Sequence, residues 1–138
     1  MVRGGDKDMK RFFLLMLATA ALSGCLSPPS SQEMGSANYG VLPEDYKEIV
    51  KNYSDGMLKD PESAKYMMAT PCKGWIREGV LAASGGKPIY GWIIPYRVNA
   101  KNSYGGYTGF QDHVAFYFDG KISNVDGLAN NRQAGCSK

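Results

Sequence analysis

The chain holds a single histidine, His113, and only three cysteines, Cys25, Cys72 and Cys136, in 138 residues. None of these four stands near another in sequence, so the short-spaced Cys/His pairs of a structural metal site are missing and neither metal nor cofactor is expected. A long apolar run is missing too. The apolar stretch at residues 12–22 falls short of the ~20 helical residues that cross a bilayer core, and Gly24 and Cys25 prevent its continuation. Nor does either sign of charge dominate. The formal net charge is +3, but Arg3, Lys7, Lys10 and Arg11 precede Cys25 against Asp6 and Asp8, which leaves 12 basic and 11 acidic residues beyond it. A chain so nearly neutral offers no basic stripe, and nucleic acid is not an expected partner.

The features present begin with Met9-Lys10-Arg11, the apolar stretch 12–22, and Leu22-Ser23-Gly24-Cys25. A basic start, an apolar segment of this length and small residues together describe an export signal. A buried core helix is the competing reading, but the segment is apolar all round and runs into Ser and Pro residues. The tetrapeptide ending at Cys25 resembles a bacterial lipobox. Its resemblance to lipobox lipoproteins implies a signal peptide over 1–24, cleavage before Cys25, acylation of Cys25 with chains such as palmitate, and a membrane as partner through that lipid. Asp6 and Asp8 are unusual in a leader, which makes Met9 an alternative start. In such lipoproteins an Asp after the acylated cysteine signals retention in the inner membrane. Here the next residue is Leu26, and the outer membrane, facing the periplasm, is the expected location.

If Cys25 carries lipid, Cys72 and Cys136 remain as an even pair in an oxidising compartment and are expected to form a disulfide, with two free thiols as the alternative. Closing so long a loop contributes about 4 kcal/mol on the chain-entropy view. It would also fasten the polar tail at 130–136, which has little else to hold it down.

The chain divides into a signal peptide at 1–24, the lipidated cysteine with a flexible Ser/Pro/Gly-rich tether at 25–41, and one domain at 42–138. Leu42, Tyr46, Ile49, Val50, Tyr53 and Met57 recur at helical spacing, with Pro43, Glu44 and Asp45 suited to a first turn, so an amphipathic helix is expected over 43–59. Asp60-Pro61-Glu62-Ser63 reads as a capped short turn that delivers Tyr66, Met67 and Met68 to the core. Beyond Cys72 the period becomes two. Strands are expected over 74–80, over 88–100 with the Tyr90 face inward, around Val114, Phe116 and Phe118, and over 121–125 after the hairpin signal Asp119-Gly120. Pro95 marks an edge or a bulge. The expected fold is α+β, an N-terminal amphipathic helix packed on a small antiparallel sheet of three to four strands.

The run 98–110, Val-Asn-Ala-Lys-Asn-Ser-Tyr-Gly-Gly-Tyr-Thr-Gly-Phe, joins two of these strands through a glycine-rich loop with three aromatics, Tyr104, Tyr107 and Phe110. That composition suits recognition as well as turning, and a plain hairpin connection is the alternative. It is not a phosphate cradle, because no Lys-Ser/Thr comes after the glycines. The run, together with Asp60-Pro61-Glu62-Ser63-Ala64, resembles small proteobacterial exported proteins, most of them uncharacterised. The resemblance spans about 43–125 and implies no activity.

An enzyme needs nucleophile, base and orienting group in one place. His113 adjoins Asp112 in a strand, where neighbouring side chains point to opposite faces. Ser84 and Ser103 lack a nucleophile-elbow pattern, and Asp112, Asp119 and Glu78 read as rim or turn residues. The expectation is a non-catalytic binding or structural module of the envelope, taking a protein or cell-wall partner through Tyr104, Tyr107 and Phe110. A small periplasmic hydrolase or hydrolase inhibitor is the alternative, and a concave pocket with convergent polar groups near His113 would favour it.

Overall fold

A computed structural model describes residues 27–79 and 81–138. The expectations for the leader, for Leu26 and for lipid on Cys25 lie outside the described residues. The strands are β1 (Lys65–Met68), β2 (Cys72–Arg77), β3 (Pro88–Asn99), β4 (Gln111–Phe118), β5 (Lys121–Asn124) and β6 (Ala134–Cys136), of which the two longest, β3 and β4, are built on β-branched and aromatic residues. They form one six-stranded antiparallel sheet in the order β5-β4-β3-β2-β6, with β1 pairing the same edge of β3 beyond the end of β2. The sheet is larger than the three to four strands expected. The additions are short: β1 directly succeeds a turn signal that masks it, and β6 lies in the polar tail, where three residues cannot show a period.

β1 and β2 are two halves of one bent partner of β3. Met68 pairs Tyr96 and Cys72 pairs Ile93, so three residues on one side face two on the other, Ile94 and Pro95. Such a one-residue surplus is a β-bulge. Pro95 therefore sits in a central strand opposite a bulge, and its carbonyl still accepts from Ala69 N at 3.0 Å. The Asp119-Gly120 turn has positive φ at both residues, 48° and 76°, as a two-residue hairpin of matching twist requires.

The sheet buries side chains on both faces, where alternation along β3 points to a core on the Tyr90 face alone. On that face Ile94, Tyr96, Ala115 and Tyr117 pack with Val50, which is wholly buried on a ten-residue helix (Tyr46–Asp55). On the other face Ile76, Ile93, Phe116 and Val125 cluster with Leu128 of a short helix at Asp126–Asn130. Gly74 and Gly91 pair across β2 and β3 on this second face. A Cβ on Gly91 would stand 2.6 Å from Phe116 Cζ and 2.7 Å from Tyr117 O, and one on Gly74 would meet Gly135 O at 2.5 Å. The glycines admit this close approach of neighbouring strands. Trp92, on the Tyr90 face, is only half-buried, its indole Nε1 donating to Gly40 O at 3.2 Å.

Over 27–41 the structure differs from the flexible tether expected of a Ser/Pro/Gly composition. Ser30 caps a helix at Ser31–Ser36 with a reciprocal Ser30–Glu33 box. Beyond it Tyr39 is buried edge-on against Tyr90, and its hydroxyl bonds Met34 O at 2.6 Å and Ser137 Oγ at 2.8 Å. Arg77 Nη1 donates to Ser27 O at 2.8 Å. One aromatic anchor and a handful of hydrogen bonds thus lay this polar segment along the sheet, and composition alone does not report such docking.

Candidate functional site

The 98–110 loop leaves β3 and returns as β4, and its shape is set by one side chain. Asn102 Oδ1 accepts from Tyr104 N at 2.9 Å and from Gly106 N at 3.1 Å, while Asn102 N donates to Gly106 O at 2.9 Å. An asparagine that satisfies backbone donors two and four residues on stands in for a turn of secondary structure. Gly105 and Gly109 take φ of 80° and 91°, values an L-residue rarely adopts. Gly109 N is held by Asn99 Oδ1 at 3.1 Å.

This loop is seated on the Asp60–Ala64 corner. Asp60 caps a 3₁₀ turn at Pro61–Ser63. Ser63 then uses its hydroxyl and its carbonyl: its Oγ accepts from Lys101 N at 3.0 Å and donates to Asp60 O at 2.8 Å, and its carbonyl accepts from Tyr107 OH at 3.1 Å. Lys59 Nζ reaches Ser103 Oγ at 2.9 Å. The two runs that stand apart in sequence are one surface in space.

The three aromatics expected to bind a partner separate on that surface. Tyr107 is pinned by its hydroxyl and flanked by Lys65 and Lys101, whose Nζ atoms lie 4.7 and 5.7 Å from its ring, and it stays 45% exposed. Phe110 lies under the Arg97 guanidinium at 5.4 Å, and Arg97 in turn pairs with Asp112 Oδ1 at 2.9 Å. Tyr104 is 96% exposed. The surface around it carries Lys59, Lys65 and Lys101, set beside Asp60 and the exposed Glu62 of the corner.

At the base of the loop His113 stacks on Tyr96 at 5.4 Å between ring centroids, and its Nδ1 stands 2.7 Å from Asp126 Oδ2. Asp126 Oδ1 accepts from Val114 N at 2.6 Å and Oδ2 from Asn124 Nδ2 at 2.9 Å. Burial alone would raise this carboxyl, but the hydrogen bonds from Asn124, His113 and Val114 together outweigh it and hold it below the ordinary carboxylate range. An ionised Asp126 only accepts, so Nδ1 carries the proton and Nε2 is the acceptor of the neutral ring. Cavities of about 320 and 180 Å³ flank the ring. Met67, Met68, Pro95 and Val114 give the first a largely apolar wall, and Lys101, Thr108 and Gln111 line part of the second.

Adjacency in sequence offers Asp112 as the partner of His113, but strand geometry sets it on the opposite face, and Asp112 indeed turns away to Arg97. The true partner, Asp126, escapes sequence reasoning. Its one signal is Asn124-Val125-Asp126, an Asx turn closed by Asp126 N on Asn124 Oδ1 at 3.0 Å. Neither serine weighed as a nucleophile is bonded to the histidine: Ser103 is engaged by Lys59, and Ser84 lies in the β2–β3 loop at the other end of the sheet. Among the described residues no cluster of three or more His, Cys, Asp or Glu could hold a metal ion. Cys72 and Cys136 stand at disulfide distance on the second face, with Cα atoms 5.7 Å apart. No family model, curated protein or solved structure matches this chain at a significant level.

Proposed function

We propose that the chain is a lipid-anchored, periplasm-facing lipoprotein of the envelope whose domain is a non-catalytic binding module, and that its partner docks on the tyrosine–lysine surface of the 98–110 loop. The observation that carries this reading is Tyr104. Its ring is left in water at the tip of a loop whose backbone is ordered by Asn102 and bolted to Ser63, so an aromatic contact is presented without the cost of ordering it on binding. Lys59, Lys65 and Lys101 beside it suit a partner bearing carboxylate or phosphate groups, whether an envelope protein or a cell-wall polymer. The lipid anchor rests on the lipobox resemblance at Cys25.

A photoreactive phenylalanine derivative at position 104 should capture an envelope component in whole cells. Reversing charge with Lys59→Glu and Lys65→Glu in that background should cut capture severalfold. Capture that persists unchanged, or none from correctly localised protein, would remove the reading.

The His113–Asp126 pair favours one second reading, a small hydrolase in which Nε2 accepts a proton. Turnover of ester or peptide substrates that disappears in His113→Ala would support it. Equal turnover in both proteins would end it.

A further inference from the structure

The chain enters the described fold at one end of the sheet. Ser27 O is held by Arg77, the last residue of β2, and Arg77 pairs Pro88, the first of β3. The β2–β3 loop therefore projects from the end at which the N-terminal segment arrives. The Asp119-Gly120 hairpin lies at that end as well, because β4 runs antiparallel to β3 and finishes beside its start. The 98–110 loop closes the opposite end. Twelve residues of β3 separate the two, about 36 Å at ~3.3 Å per residue.

The large aliphatic side chains left most open to water gather at the entry end. Leu81, on the β2–β3 loop, is 100% exposed, and Val41, which shares a cavity wall with Phe118, Asp119 and Gly120, is 85% exposed. The loop is not loosely drawn. Three successive turn bonds, Ala82 N to Gly79 O, Gly85 N to Ala82 O and Lys87 N to Ser84 O, fold it on itself and leave Leu81 outside. Arg77, Lys87 and Lys121 at this end stand against Glu78, Asp119 and Glu33, the last within electrostatic reach of Arg77.

We propose that this end of the sheet seats directly on the lipid bilayer, with Leu81 and Val41 in the interfacial layer, so that the Tyr104 surface is held at the far pole. The inference rests on the lipid anchor at Cys25. Only Leu26 separates Cys25 from Ser27, at most about 7 Å of chain over the two steps, and Ser27 is tied to Arg77. An acylated Cys25 thus has no free tether along which the domain could stand away from the membrane, and the surface nearest the anchor must meet it. That surface carries the exposed aliphatics beside balanced charge of both signs, which suits the interfacial layer of a bilayer.

The test uses the full-length protein in vesicles of phosphatidylethanolamine and phosphatidylglycerol that carry a nitroxide-labelled lipid. An environment-sensitive fluorophore is placed on Leu81→Cys, Val41→Cys or Tyr104→Cys. Flotation with the vesicles reads the anchor by itself. Quenching reads the seating, and it should be severalfold stronger at positions 81 and 41 than at 104, with blue-shifted emission at the first two. Full flotation with equal, weak quenching at all three positions overturns the seating and leaves the anchor standing. Failure to float overturns both.

Discussion

Single residues decide how closely this sheet packs and how its one histidine is used. At Gly91 the space for a Cβ is already taken by the Phe116 ring and the Tyr117 carbonyl, the second of which belongs to the backbone and cannot rotate away. Gly91→Ala should therefore lower the unfolding free energy by about 1–3 kcal/mol, the range for overpacking, seen as a reduced urea midpoint at unchanged slope. Asp126 gives a different kind of prediction. Its carboxyl is held below the usual range by its donors, so the stability it contributes is present at neutral pH and fades as pH falls through and below that range. Urea midpoints tracked from neutrality to about pH 3 should fall more steeply in the parent than in Asp126→Asn. At Tyr66 burial, with the Asp55 hydrogen bond at 2.6 Å, pushes the phenol up to about 12, so it stays protonated and donating across the accessible range.

Among the elements, the Asp60–Ala64 corner and the 98–110 loop stand or fall together. Ser63→Ala removes the acceptor of Lys101 N in a half-buried place and should cost about 1–3 kcal/mol, whereas Tyr104→Ala touches nothing and should stay within about 0.5 kcal/mol. Chemical denaturation of the two variants side by side checks the contrast; an equal loss at Tyr104 would mean the ring is not free. The tail is a second case. β6 pairs β2 over three residues and Ser137 N bonds Lys73 O at 2.8 Å, while the Cys72–Cys136 pair closes 64 residues of chain. Replacing both cysteines with alanine should lower stability by about 2–5 kcal/mol, and amide exchange should rise first in β6, the shortest edge strand.

At the scale of the whole molecule, the fold is a sheet with two differently furnished ends. One receives the N-terminal segment and carries Leu81; the other carries the tyrosine–lysine surface. The N-terminal segment matters to this arrangement because Tyr39 ties residues 27–41 to both Tyr90 and Ser137. Tyr39→Ala should release the segment and speed its cleavage by a nonspecific protease, with limited proteolysis as the measurement; an unchanged cleavage rate would show that the segment is held without Tyr39.

The parts legible in the sequence are those whose information is local. Alternation marks β3 and β4, two adjacent positions fit for positive φ mark the Asp119-Gly120 turn, and the glycine-rich run marks the loop between the long strands. Burial of β3 on both faces, the three-residue strand β6 and the docking of 27–41 are not legible, because each depends on a partner far away in sequence and leaves no period of its own. The candidate site divides the same way. Residue types in 98–110 announce a surface loop with aromatics, but which tyrosine is free and which is bolted to Ser63, and that His113 belongs with Asp126 rather than Asp112, are decided only when strand pairing places those groups within hydrogen-bonding distance.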